Sequence, residues 1–296
     1  MRVTTRSEYP GRALTCLLAA FALGCAAHAA DDFKFGGPYV PTPQVVVDQM
    51  LRMAGVGESD FVIDLGSGDG VIVLTAAKQF KAAGMGVDID PELVKLSNDS
   101  AKKLGVADRV RFLEQDVYKA DLSRASVLTL YLLPPMMLSL RPKIFNELKP
   151  GARVVSHDYH LGEWEPDDQI SFDVPEKEKV NGVPQATIYL WHVPARVAGK
   201  WEVKVAGGET YELNLKQRFQ VVEGSVAAGG KPLRAQQLKL RGSEFSFALP
   251  EGKGVARFTG RVKDGAMEGV VEMPGAKAPA RWTAVRTAAG AVVNIN

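Results

Sequence analysis

The chain has 296 residues, 46% of them hydrophobic, and a formal net charge of +2. That length exceeds one ordinary domain and predicts two. The near balance of charge, with no basic stripe and no long polybasic segment, argues against nucleic-acid and lipid-surface partners.

In chain order, Arg2, Arg6 and Arg12 precede an apolar run over residues 13–27, and Ala27-His28-Ala29 closes it. This is the pattern of a secretory signal peptide, residues 1–29, with an A-x-A cleavage site and a run too short to span a membrane. It predicts an exported, periplasmic or envelope-associated protein of near-neutral charge. Ala22-Leu23-Gly24-Cys25 offers a weaker second reading, a lipoprotein site. Both cysteines, Cys16 and Cys25, lie in this segment, so the mature chain has no thiol for a disulfide or a thiolate metal site. After an irregular lead-in over 31–38, Val46, Val47, Met50 and Leu51 fall at helical spacing and predict a helix over 43–54 with Thr42 as its N-cap. Strands at 61–65, 83–87, 110–114, 126–133 and 152–158 alternate with helices at 71–81, 91–104 and 135–148, which predicts a parallel sheet covered on both faces. Residues 170–174 and 187–193 then add a terminal hairpin.

Residues 62–70, Val-Ile-Asp-Leu-Gly-Ser-Gly-Asp-Gly, carry the most chemical information. A β-branched run leads to Asp64, and Gly66, Gly68 and Gly70 remove the Cβ atoms that would keep a ligand off the main chain. The helix that follows turns its free N–H groups toward whatever the loop holds. A dinucleotide fingerprint, G-x-G-x-x-G, would need its third glycine where Val71 stands. The spacing here is instead Asp64-x-Gly66-x-Gly68-x-Gly70, with Ser67 inside the loop. Asp88 ends the second strand, where an α/β nucleotide site places its ribose-binding carboxylate, and Ile89 beside it is suited to an adenine face. Asp90 reads as an N-cap ahead of Pro91 and Glu92. The third strand ends at Gln115-Asp116-Val117.

The Asp64-to-Gly70 spacing resembles motif I of the class I (seven-β-strand) S-adenosylmethionine-dependent methyltransferases. A longer ordered set resembles one group of small class I enzymes: Pro38-Tyr39-Val40-Pro41-Thr42-Pro43, the glycine loop, Tyr131-Leu132-Leu133-Pro134, Leu140-Arg141-Pro142 and residues 149–158. That group includes bacterial relatives of the lysine methyltransferases acting on mitochondrial adenine nucleotide carriers and on the ATP synthase c subunit. The likeness covers about residues 36–195 and implies a Rossmann-like seven-stranded sheet with S-adenosylmethionine as cofactor. The implied reaction is N-methylation of a protein lysine or other amine by direct in-line transfer.

The resemblance also implies roles for single residues. Asp116 would meet the adenine amino group with Val117 alongside, while the residues alone leave a solvated strand-end acid open. Tyr131 takes the motif IV position that faces the acceptor nitrogen, although Leu133-Pro134-Pro135 lacks the amide or acid that precedes the prolines in other amine methyltransferases. Asp158 either positions the acceptor ammonium, orients a neighbouring side chain or is a solvated loop acid. Tyr39 and Thr42 either close over the methionine end of the cofactor or cap and staple the first helix. His157 and His160 form only a weak H-x-x-H pattern with no supporting cysteine, so no metal is expected.

Residues 199–288 change character: seven or eight short alternating segments separated by glycine-rich turns predict a small antiparallel barrel or sandwich. With no ionisable cluster, this β domain is expected to be an accessory that holds a protein or envelope substrate. A second function stays open, that of a non-enzymatic envelope binding protein that keeps the Rossmann-like core as a scaffold and binds through the β domain.

Overall fold

The computed structural model describes residue 37 and residues 39–290. The expected signal segment, 1–29, lies outside the described residues. The main compact unit begins at Pro41 and contains two sheets.

The first sheet alternates strands with helices: α1 (Gln44–Met53), β1 (Phe61–Leu65), α2 (Val71–Phe80), β2 (Ala83–Asp88), α3 (Pro91–Lys103), β3 (Val110–Glu114), β4 (Val127–Leu130), α4 (Pro134–Glu147), β5 (Arg153–His157), β6 (Asp168–Asp173), α5 (Pro175–Asn181) and β7 (Gln185–His192). Its order is β3-β2-β1-β4-β5-β7-β6, with β1 to β5 parallel and β7 antiparallel to both neighbours. β1 and β4 are almost wholly apolar because both faces are covered. Successive residues serve opposite cores: Ile63 and Leu65 pack with Leu128, Leu130 and Val154, whereas Val62 packs with Val127, Val155 and Ile188.

Local chemistry accounts for the departures from expectation. Pro43, not Thr42, stands at the N-cap of α1, and its carbonyl accepts from Val46 and Val47 with no side-chain cap. β4 stops at Leu130 instead of running to 133, because Pro134 and Pro135 start a helix and Pro134 restricts the residue before it. Helix α5 was not expected; Pro175 at its start, Glu176 and Glu178 in its first turn and Gly182 at φ 74 after its end define it.

The second sheet runs β8 (Gly199–Val205), β9 (Thr210–Arg218), β10 (Val221–Ala228), β11 (Lys231–Leu233), β12 (Gln236–Arg241), β13 (Glu244–Glu251), β14 (Gly254–Lys263), β15 (Ala266–Glu272) and β16 (Ala280–Ala289). Its order, β11-β10-β9-β8-β16-β15-β14-β13-β12, is an antiparallel meander in which the last strand pairs with the first. One curled sheet therefore wraps its own core, and β10 and β12 approach across the remaining seam. Trp201, Tyr211, Phe247, Phe258 and Trp282 fill that core. Nine strands replace the seven or eight expected, since β11 has three residues with Pro232 in the middle and shows no alternation.

Asp60 ties the amino end of the first sheet together. Nearly buried, it accepts from Gly57 N (2.8 Å) and Ser126 Oγ (2.7 Å) and pairs with Arg153, whose guanidinium also donates to Ala54 O (2.7 Å). Asp60→Ala leaves the partly buried arginine without its counter-charge and is expected to cost about 3 kcal/mol, read from the urea midpoint; an unchanged midpoint would show that the network adds nothing.

Candidate functional site

Register builds the site. Leu65 pairs with Leu130 and Leu130 with Ser156, so the next residues, Gly66, Tyr131 and His157, follow side by side at the carboxyl ends of the three central strands. Ligands of open α/β sheets bind at that edge.

The glycine loop is a left-handed passage, with φ of 74, 52 and 80 at Gly66, Gly68 and Gly70. A Cβ on Gly70 would sit 2.7 Å from the Phe112 ring, so both the backbone conformation and the packing require glycine there. Gly86 in β2 plays a supporting part: a Cβ on it would lie 2.6 Å from Ser67 Oγ. That close approach seats the loop on β2, where Gly66 N and Ser67 N both donate to Val87 O (2.9 Å each).

Asp88 holds the loop from the next strand. Its Oδ2 accepts from Gly68 N (2.8 Å) and its Oδ1 from Asp90 N (3.0 Å). Each oxygen keeps a further acceptor site for ligand hydroxyls. Ile89 beside it is 41% exposed, an apolar surface next to a fixed carboxylate. Asp116 is oriented by accepting from Tyr118 N (2.9 Å). Two candidates turn away from the edge: Val117 packs into the core, and the Ser67 hydroxyl is buried against Gly86 with no hydrogen-bond partner. Ser67 thus has only its main chain to offer a ligand. Thr42 is half-buried, and Tyr39, in a separate N-terminal unit, is exposed.

Asp64 lies beneath the loop, 2% exposed, and accepts from Thr129 Oγ1 at 2.6 Å. Burial pushes its carboxyl up to about 7; Asp88 and Asp69 add to the rise and the Thr129 bond opposes it. Thr129 and Ser97 were missed in the sequence. Ser97, fully buried in α3, donates to Gly68 O (2.9 Å). The only signal for either was a hydroxyl placed on an apolar face.

On the other side of the row, the Tyr131 ring lies 4.1 Å from the His157 ring and 6.2 Å from that of Tyr159. His157 is buried, and its Nε2 lies 3.2 Å from Lys177 Nζ. An ammonium only donates, so Nε2 accepts and the network puts the imidazole proton on Nδ1, which is buried without a partner. Burial lowers the imidazole to about 4; Asp158 pulls it up and Lys177 pushes it further down.

Asp158, at φ 61, gives Oδ2 to Lys177 Nζ (2.5 Å) and Oδ1 to Thr187 N (3.1 Å). Lys177, 3% exposed, directs its third proton to Gln185 O (2.7 Å). Asp158 orients its neighbours, with one oxygen on the buried Lys177 ammonium and the other on the Thr187 amide. Lys177 was not foreseen because Pro-Glu-Lys-Glu-Lys reads as a solvated face. His157 and His160 diverge, since His160 Nδ1 accepts from Gly162 N (3.0 Å), and among the described residues no three His, Cys, Asp or Glu side chains converge as for a metal.

A parallel five-strand core with a reversed β7, a glycine loop after β1 and an acid after β2 define a class I methyltransferase sheet. The family profile described as the ANTKMT methyltransferase domain matches residues 64–168. A protein-lysine N-methyltransferase of Saccharolobus islandicus is 39% identical over 155 residues, covering 52% of this chain and 92% of the relative. The adenine nucleotide translocase lysine N-methyltransferase of Mus musculus is 34% identical over 129 residues, 44% of this chain and 56% of the relative. A solved RNA methyltransferase from Salinibacter ruber, in complex with S-adenosyl-L-homocysteine, is 48% identical with a TM-score of 0.47, covering 52% of this chain and 93% of that one. The chain belongs to the class I S-adenosylmethionine-dependent methyltransferases, in the group that holds these protein-lysine enzymes. It spans most of the archaeal relative and little more than half of the mouse one.

Asp64 makes stability depend on pH. Its folded carboxyl keeps a proton up to about 7 whereas an unfolded aspartate releases it near 3.8, so the folded state loses stability as pH rises through that window. Asp64→Asn removes this loss. Its urea-derived stability relative to the parent is expected to be about 2 kcal/mol greater at pH 8 than at pH 5.5; a difference independent of pH would exclude the raised carboxyl.

Proposed function

We propose that the protein methylates the side-chain amine of a lysine in a protein substrate. The observation that carries the reading is the row of Gly66, Tyr131 and His157, which sets a ligand loop beside an aromatic acceptor face. The lysine-directed relatives support the choice of acceptor.

The residues fit the cofactor. The left-handed glycine loop turns main chain toward the cofactor, the fixed Asp88 carboxylate suits vicinal ribose hydroxyls, Ile89 suits an adenine face and Asp116 an amino group. When bound, S-adenosylmethionine supplies a methyl group on a sulfonium centre that departs as a neutral thioether. Asp64 beneath the loop is favoured in its ionised form by a nearby cation.

What the chain does for the acceptor is mainly placement. The Lys177–Asp158 pair cancels its own charge and His157 is neutral at pH 7, so this side offers no net negative charge to an ammonium. It suits an uncharged amine, the nucleophilic form, whose proton has already gone to water. His157, lowered to about 4, is too weak a base to take that proton. Tyr131, packed at a tilt of 36° on the His157 ring that Lys177 holds, presents a fixed face, and catalysis rests on alignment and exclusion of water.

We also propose export by residues 1–29, supported by the arginines, apolar run and A-x-A site alone.

Calorimetric titration with S-adenosylhomocysteine should show binding that Asp88→Ala weakens at least about tenfold. Tritium transferred from S-adenosylmethionine to poly-L-lysine should be recovered as methylated lysine after hydrolysis, and Tyr131→Ala should cut turnover about 10- to 100-fold with the cofactor affinity unchanged. Normal cofactor binding with label recovered on another residue type would exclude the lysine reading. Protonation of His157 is expected to destabilise the fold: an unfolded histidine gains its proton near 6.5 and the folded one only near 4, so stability should decline as pH falls between those values. His157→Gln should flatten that part of the urea stability profile.

A further inference from the structure

The turn between β9 and β10 leaves the barrel and enters the other core. Phe219, at its tip, is 2% exposed and packs with the methyltransferase residues, not with those of the barrel. Its ring is nearly parallel to that of Trp164 (6.1 Å, 12°), 5.4 Å from Phe145, and 5.4 Å beneath the Arg141 guanidinium. The flanking residues grip the same segment: Arg218 pairs with Glu163 (2.6 Å) and Gln220 Nε2 donates to Glu165 O (2.6 Å).

The backbone at Phe219 is left-handed, φ 53, a conformation that a bulky residue keeps only when its surroundings hold it there. Gln217, buried, does so from behind. Its Oε1 accepts from Val197 N (2.7 Å) and its Nε2 donates to Ala195 O and Phe219 O (2.8 Å each), locking turn and linker together.

The gripped residues belong to the stretch between β5 and β6, near whose start lies Tyr159, the ring stacked toward Tyr131. The methyltransferase sheet holds the same stretch as well: Ser156 Oγ donates to Tyr159 O (2.5 Å), Arg141 Nη1 to Leu161 O (3.2 Å), Trp191 Nε1 to Trp164 O (2.8 Å) and, at its far end, His192 N to Asp167 Oδ2 (2.6 Å). A loop of this length without internal strands or helices takes its shape from what packs on it.

We propose that Phe219 is a positioning residue for methyl transfer, through which the barrel fixes the 159–167 loop and hence Tyr159 against Tyr131. The barrel then forms part of the acceptor side of the site. This rests on the acceptor-side reading of Tyr131 above.

The test uses the full chain with Phe219→Ala, Phe219→Leu and the surface variant Gln220→Ala. In Phe219→Ala, hydrogen exchange at amides 159–165 is expected to rise at least about tenfold while amides 245–249 of the barrel keep their protection. S-adenosylhomocysteine affinity should stay within about twofold, and turnover with poly-L-lysine should fall about tenfold with KM for S-adenosylmethionine unchanged. Phe219→Leu, which restores bulk, should recover most of both effects. Gln220→Ala, which leaves the cores intact, should raise exchange at amides 163–165 alone, and keeps the coupling of turn to loop testable if Phe219→Ala does not fold. Unchanged loop exchange in the folded variants overturns the proposal, as does loss of turnover that Phe219→Leu fails to recover. Exchange needs no acceptor, so a parent enzyme inactive on poly-L-lysine would count against the lysine reading and leave the loop result standing.

Discussion

The carboxylate of Asp88 joins three elements: the glycine loop, the head of α3 and the end of β2. One oxygen receives the Gly68 amide of the loop and the other receives the Asp90 amide at the head of α3, while the residue itself ends β2. Gly66 and Ser67 give their amides to Val87 O, but the Gly68 amide turns past that carbonyl, and an unpaired donor near the interior is costly. Asp88 supplies that partner from a strand whose register with β1 is set by ordinary sheet pairing. The loop can take this place only because β2 offers Gly86 beneath Ser67 and because Phe112 fills the space under Gly70. The open surface beside Ile89 follows from the same arrangement: the loop and α3 are drawn together around the acid, leaving its remaining lone pairs and the isoleucine side chain facing outward.

Burial then sets the electrostatics on both sides of the row. The apolar strands that make the sheet remove Asp64 and His157 from water, and each responds by favouring its uncharged form, Asp64 upward to about 7 and His157 downward to about 4. Lys177 lies in the same interior with every N–H partnered: carboxylate, imidazole and carbonyl each accept one hydrogen bond from its Nζ. A buried polar cluster of this kind fixes orientation more than it adds stability. The left-handed Asp158 shows where that orientation is held, since its conformation turns the carboxylate back toward both Lys177 and Thr187.

Much of the fold was legible because its signals are local and repeated. The alternation of apolar strands with amphipathic helices, the Asp90-Pro91 cap and the glycine spacing all reflect neighbours in sequence, and the structure places β1 to β5 within a few residues of the expected limits. What stayed hidden depends on distant pairings. Lys177 reads as one charge among four on a short polar helix until β5 and β7 bring His157 and Gln185 around it. Asp158 could not be assigned to one of its three roles for the same reason. Phe219 sits in an alternating run and looks like any inward residue of a barrel, yet its left-handed turn sends the ring outward from that barrel. Thr42 illustrates the opposite error: a good capping side chain stood one residue too early, and Pro43 opened the helix with its carbonyl alone.

The placement of Phe219 changes what the second sheet is for. A substrate-holding module attached by a tether would need only a linker and its own core, and the barrel has both. It would not need an aromatic in a strained backbone conformation, two polar grips on a neighbouring loop and a buried glutamine bracing the turn. These features concern a loop that lies inside the matched family region, which ends at residue 168, while the turn that packs on it lies well beyond that region. The barrel is thus coupled to the catalytic sheet through the loop nearest the acceptor face. Changes within the barrel that shift the β9–β10 turn act on the placement of Tyr159, whereas changes on its far side do not.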